Sequence, residues 1–353
     1  MTDATVRSSI TVQGYRDFRL PLWRRVLLTR EMAIIALLAI VILVSSASVR
    51  GFGGPLTMTY LLLDVAPLLL IALPMTLVII TGEIDLSVAS IVGLSSVLLG
   101  ILYQAGVPIV IAGLVAILAG ALGGAINGFL VTAVGLPSIA VTIGSLALYR
   151  GLAVGLLGTH AVTDWPPFWT DLAKAKILTT GIPVIMIPFA ILVVAFTVLL
   201  HFTPFGRGVF AIGLGRGAAA FSGVRVNRTK FILFVLTGAV SAFAGIYYTL
   251  RFGSARGDNA TGLELQVIAA VLLGGVSIFG GRGALHGVIG GVLLIGVLAS
   301  ALRLANVTSD VINIITGVLL VLSVVTASFL AWLSNKRQRP GGFNRGAVVA
   351  TKD

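Results

Sequence analysis

Few residues in this chain could do chemistry, and most of them stand in or beside long apolar stretches. Glu83 and Asp85 open one such stretch. Asp64, Arg150 and Arg303 lie in or close to others, and Asn127, Thr142, Glu264 and Gln266 are polar side chains in similar surroundings. A charge inside a membrane is expensive to bury, so it marks either a route for a polar solute or a pairing between helices. Asp85, followed by Leu86-Ser87, reads as a helix N-cap. Asp85, Asn127, Thr142, Glu264 and Gln266 are also the candidates to line a translocation pathway.

Other chemistries find no support. No nucleophile, base and orienting group cluster together, so the chain does not read as an enzyme. It has no GxxxxGK[ST] loop with which to hydrolyse ATP itself. Residues 213–217, GLGRG, imitate a dinucleotide fingerprint, but they follow an apolar span and lack the strand and distal acid that the fingerprint needs. There is no cysteine, and His160, His201 and His286 are scattered, so neither a disulfide nor a metal site is expected.

The elements that must position these residues are membrane helices. Of 353 residues, 58% are hydrophobic and 10% charged, with a mean hydropathy of +1.09, where soluble proteins carry about 25% charge. The net charge of +12 would suit nucleic acid in a soluble protein. Here the cations cluster at the ends and in one loop, where anionic lipid headgroups are the natural partner and nucleic acid is not. Apolar runs near the ~20 residues needed to cross a bilayer fall near 32–49, 60–80, 86–104, 107–133, 138–158, 183–202, 230–250, 264–280, 284–304 and 310–333. The fold class is therefore an all-α polytopic membrane protein of about ten transmembrane helices. The expected organisation is an amphipathic cytoplasmic segment over 1–31, a transmembrane domain over 32–333 and a basic cytoplasmic tail over 334–353.

The longest polar break, Phe205 to Phe231, carries Arg207, Arg216, Arg225, Arg228 and Lys230 without a carboxylate. The positive-inside rule puts it in the cytoplasm, and with ten spans both termini follow it there. Within it, Gly213, Gly215 and Gly217 lead into Ala218, Ala219, Ala220, Phe221 and Ser222, which suit a short helix that Gly223 ends, of a size to dock into a groove on a partner.

Two halves flank this loop. Gly120, Gly124 and Gly128 recur every fourth residue in the fourth span, as do Gly283, Gly287 and Gly291 about the ninth, and such small-residue ridges let helix backbones approach closely. Thr81-Gly82 leads to Asp85-Leu86-Ser87-Val88, and Thr261-Gly262 leads to Glu264-Leu265-Gln266-Val267. An offset of five spans reverses direction, so spans two to five and seven to ten read as an inverted repeat with the pathway between the halves.

The stretches TLVIITGEIDLSVASIVGLSS, GALGGAINGFLVTAVGLPSIAVTIGSLALYRGLA, AIGLGRGAAAFSGVRV and VIAAVLLGGVSIFGGRGALHGVIGG closely resemble the membrane permease subunits of ribose-type ABC importers. These serve monosaccharides and related furanosyl compounds, autoinducer 2 among them, and the similarity covers roughly residues 32 to 330. The resemblance implies a multi-pass protein of the bacterial inner membrane, working with cytoplasmic ABC ATPase subunits, a second copy or paralogue of the permease, and a substrate-binding protein outside. It implies no cofactor in this chain, with ATP and Mg held by the ATPase. Arg216, Gly217, Ala218, Ala219, Ser222 and Gly223 match the family's coupling helix. The family usually places acidic residues just before the two alanines, where this chain has Arg216-Gly217, a departure that an acidic or neutral groove on the ATPase, or a heterodimeric permease, would accommodate. The readings from other classes are a gradient-driven secondary transporter using Asp64 or Arg150, and a non-transporting membrane scaffold.

Overall fold

A computed structural model describes residues 30–325 except 55, 309, 320, 323 and 324. Nearly all of the amphipathic N-terminal segment and the whole basic tail therefore lie outside the described residues. The chain is helical, with α1 (Arg30–Ser48), α2 (Thr57–Ile80), α3 (Val88–Gln104), α4 (Ile109–Thr132), α5 (Ser138–Leu157), α6 (Pro167–Lys174), α7 (Met186–His201), α8 (Pro204–Leu214), α9 (Arg216–Phe221), α10 (Val226–Phe252), α11 (Leu263–Leu273) and α12 (Leu285–Leu304). A further short helix, α13, covers Asp310–Leu319. Extended pairing among the described residues is limited to two isolated bridges, Val162 to Ala255 and Lys176 to Pro183.

Among the described residues six helices, α1, α2, α4, α5, α10 and α12, are long and apolar enough to cross a bilayer, and α7 with α8 makes a seventh candidate bent by 67°. The predicted third and eighth spans are shorter apolar helices, and the backbone shows why, while the predicted tenth, over 310–333, extends beyond the described residues. The predicted third span starts only at Val88 because residues 83–87 are non-helical. The eighth stops at Leu273, where Gly274 and a left-handed Gly275 (φ +93°) turn the chain away. Both short helices follow a Thr-Gly pair whose glycine is left-handed, Gly82 at φ +80° and Gly262 at φ +85°, so the pairs matched in sequence also share a backbone conformation.

α2 is apolar on every side and buried along almost its whole length, which makes it the centre of the bundle. α10 lies along α4, α3 and α2, while α12 lies along α1, α2 and α11. Glycine sets the closeness of these crossings. A methyl built on Gly124 would overlap the Phe234 carbonyl oxygen, one on Gly120 would strike Ala242 and Gly238, and one on Gly128 would press on Phe231. Across the interface, a methyl on Gly238 would overlap the Gly120 carbonyl oxygen. On α12, Gly287 and Gly291 similarly face the carbonyl oxygens of Gly274 and Ala270. Gly283 departs from the expected ridge: the helix begins at Leu285, and Gly283 instead lies in the preceding loop against Val276 and Ile80.

Candidate functional site

The loop between α7 and α10 is more structured than its polarity suggests. Pro204 cannot donate the hydrogen bond that would continue α7, but it suits the first position of a new helix. Thr203 caps that helix by accepting from the Gly206 N–H at 3.2 Å, while its hydroxyl donates to the Leu199 carbonyl at 2.6 Å. α8 therefore starts at once, in a new direction. Gly215 separates it from α9, which closes with Gly223 at φ +82°.

α9 presents the predicted residues unequally. Arg216, Gly217, Ala218, Ser222 and Gly223 are exposed, whereas Ala219 points inward and packs with Ile212 and Val226. The Ser222 hydroxyl donates to the Ala218 carbonyl at 2.9 Å, and the Arg216 guanidinium donates to Asn227 Oδ1 at 3.2 Å. Arg216, Arg225, Val226 and Arg228 are among the residues lining an open cleft of about 590 Å³ beside the helix. The most prominent side chain there, Phe221, is 97% exposed. The sequence places Phe221 in this helix without singling it out, because one aromatic in a small-residue run has no periodicity to mark it.

This loop is fastened to both halves of the bundle. A methyl on Gly213, near the end of α8, would overlap both the Ile80 carbonyl oxygen at the end of α2 and the Gly281 nitrogen in the α11–α12 loop. The Gly281 N–H donates to that same Ile80 carbonyl at 2.8 Å. A third tie is ionic. Lys230 in the first turns of α10 reaches Glu83 just past α2, and both are largely buried. Lys230, grouped by sequence with the loop cations, is thus part of the helix packing.

Asp85, Asn127 and Thr142 come together where α3, α4 and α5 meet. Asp85 Oδ1 accepts from the Ser87 N–H at 2.9 Å and from the Ser87 hydroxyl at 2.6 Å. Asn127 Nδ2 donates to that hydroxyl oxygen at 2.8 Å, and Ser145 donates to Asn127 Oδ1. The Thr142 hydroxyl donates to the Ser138 carbonyl at 2.8 Å and lies 3.3 Å from the Ile84 carbonyl, while the Ile84 N–H donates to the Ser138 hydroxyl. The expected N-cap takes another form: Ser87 holds the cap position and Asp85 makes an Asx turn two residues earlier. Asp85 is fully buried, and its Oδ2 has no hydrogen-bond partner among the described residues. A half-satisfied buried carboxylate is costly to hold, and among the described residues Glu264 Oε2 is in the same condition.

Glu264 and Gln266 belong to a different place, the first turn of α11 after the α10–α11 loop. Gln266 helps line a small cavity of about 70 Å³ with Asp64 and Arg303. Asp64 accepts from Arg251 of α10 and Arg303 of α12, each at 3.4 Å. Arg150 spends its donors on backbone, giving to the Gly257 and Asn259 carbonyls at 2.7 Å each and to the Ala89 carbonyl at 3.2 Å. In the same loop the Arg256 guanidinium, 2.7 Å from Asp258, holds that carboxyl below its ordinary range. Among the described residues no group of three or more metal-ligating side chains occurs.

A helical bundle with several membrane-length apolar helices is the architecture of a multi-pass membrane protein. Residues 57–324 match the family described as the permease component of the branched-chain amino acid transport system, and the chain belongs to that family of transport subunits, which are not enzymes. Among curated proteins it is 38% identical to the autoinducer 2 import system permease protein LsrD of Escherichia coli O157:H7, over 77% of this chain and 86% of that one. The LsrD proteins of E. coli K12 and Shigella flexneri are 37% identical over the same shares. These relatives agree with the ribose-type importer motifs. No solved structure matches significantly.

Proposed function

We propose that this chain is the membrane-spanning subunit of an ATP-binding-cassette importer, taking up a monosaccharide or related furanosyl compound into the bacterial cytoplasm by alternating access. A separate ATPase provides the work, a second permease completes the channel, and a substrate-binding protein delivers the solute from outside. The α7–α10 loop and both termini lie in the cytoplasm. The substrate class rests on the motif resemblance and on the solute named for the LsrD relatives.

The observation that carries this reading is the seating of α9. A short helix with Phe221 outward and cations around it suits insertion into a groove, and its neighbour Gly213 contacts the backbones of both halves. Closure of the ATPase dimer would then move α8 and α9 with the ends of α2 and of the α11–α12 loop as one body, and the half-bundles would tilt with them. A gradient-driven reading would rest on Asp64 or Arg150, and both are engaged, Asp64 with Arg251 and Arg303 and Arg150 with backbone carbonyls.

Ser222 provides the cleaner probe, because Ala219 is buried and a charge there would disturb the loop itself. In the reconstituted complex, Ser222→Trp is expected to leave the permease folded and to reduce both uptake and substrate-stimulated ATP hydrolysis at least tenfold, the scale of a blocked interface hot spot. Uptake and hydrolysis both at the parental level would refute a coupling role for α9.

A further inference from the structure

The coupling surface has a second element that nothing in the loop's own sequence announces. Residues 277–282, Ser-Ile-Phe-Gly-Gly-Arg, form a tight turn in the α11–α12 loop. The Gly280 N–H donates to the Ser277 carbonyl at 3.0 Å, and the Ser277 N–H donates to the Arg282 carbonyl at 3.0 Å. Gly280 and Gly281 both take left-handed φ, +83° and +74°, conformations that non-glycine residues rarely adopt. The turn lifts Phe279 to its tip, 72% exposed, with Arg282 exposed at its base.

This turn is packed onto the coupling loop. A methyl on Gly281 would come within 2.8 Å of Leu214, the last residue of α8, and Leu214 is 74% exposed two residues ahead of α9. Leu214, Phe221 and Phe279 are thus exposed apolar side chains on one side of the bundle, accompanied by Arg216, Arg225, Arg228 and Arg282. Neither the turn nor the loop over 203–230 contains a carboxylate.

We propose that the 277–282 turn is a second contact for the same nucleotide-driven partner, with Phe279 seated in an apolar depression rimmed by acidic residues. This rests on the coupling reading and extends it, because the partner then grips the α11–α12 loop directly as well as through α8. Two contacts on loops that meet at Gly213 and Ile80 would turn one motion of the motor into a joint displacement of α2 and α12. Hydrocarbon is the weaker occupant for Phe279, since the turn carries Arg282 and adjoins the cationic loop.

The test uses the complete transporter, in which the ATPase subunits co-purify with the permease. Phe279→Asp is expected to weaken retention of the ATPase at least tenfold, Phe279→Leu to keep it near the parental level, and Phe221→Asp to weaken it comparably. A cysteine at 279, in a chain with none of its own, should crosslink to the ATPase subunit. If Phe221→Asp releases the ATPase while Phe279→Asp retains it and the crosslink is absent, the second contact is overturned and the coupling helix stands. If both variants retain the ATPase fully, both readings fall. A crosslink from position 279 only to a second permease copy, or only to lipid, also overturns the proposal.

Discussion

Replacing Lys230 with methionine is expected to destabilise the protein by about 3–5 kcal/mol, the usual consequence of stranding one member of a buried ion pair. Lys230 is 6% exposed and pairs with Glu83, which is 16% exposed. Methionine fills the space of the lysine stem but leaves the Glu83 carboxylate without its cation in a desolvated crevice. Removing the second charge as well should recover most of the loss, because an uncharged pair of similar volume escapes the desolvation penalty. The expected order in a thermal melt of the purified permease is therefore parental and Lys230→Met/Glu83→Gln close together at the top, with Lys230→Met well below. A single variant as stable as the parent would mean that the pair contributes nothing to the packing of α10 on the end of α2.

A second large effect is expected at the α4–α10 crossing. Gly124→Val places a branched side chain where the Phe234 carbonyl oxygen already lies. Backbone atoms in the middle of a helix cannot rotate aside as a side chain can, so the helices must separate along their length. Overpacking ordinarily costs about 1–3 kcal/mol, and this site belongs at or above the top of that range. Gly144→Val, one helix along, is the control: nothing lies within 4 Å of a methyl built there, and its effect on folding should stay within about 0.5 kcal/mol. Yield and melting temperature of the two variants check this. Equal damage would show that glycine content as such, and not the crossing, governs stability.

The contrast between Gly124 and Gly144 also shows how far the sequence can be read. Hydrophobic runs and the four-residue glycine spacing were enough to expect a helical bundle with a close crossing at Gly120, Gly124 and Gly128, because both patterns are local. They could not identify the other side of that crossing, Gly238, since a contact across more than 100 residues leaves no spacing to detect. Span lengths were over-read where a short non-helical stretch interrupts an apolar run, as at residues 83–87 and after Leu273. Hydropathy sums side chains and is blind to whether the backbone is helical.

The candidate sites follow the same division. Asp85, Asn127 and Thr142 were legible individually as polar residues in apolar surroundings, and the fold brings them into one cluster. Ser87, which links Asp85 to Asn127, and Ser145, which donates to Asn127 from α5, carry no charge and look like any other serine. Glu264 and Gln266 matched Asp85 by position in the expected repeat, but their surroundings differ: Glu264 has a buried oxygen without a hydrogen-bond partner among the described residues, and Gln266 lines a cavity with Asp64, whereas Asp85 joins a hydrogen-bonded cluster. Phe221 and Phe279 were hidden for another reason. Exposure is a property of the finished surface, and an aromatic residue gives no hint in sequence that nothing will cover it.

The coupling role of α9 requires that it face the cytoplasm and meet the ATPase there. A single cysteine at Ser222, in an otherwise cysteine-free chain, can be tested with a membrane-impermeant maleimide. No labelling is expected in intact cells, with labelling in inside-out vesicles stripped of the ATPase and protection when the ATPase is restored. Labelling from outside intact cells would contradict that role.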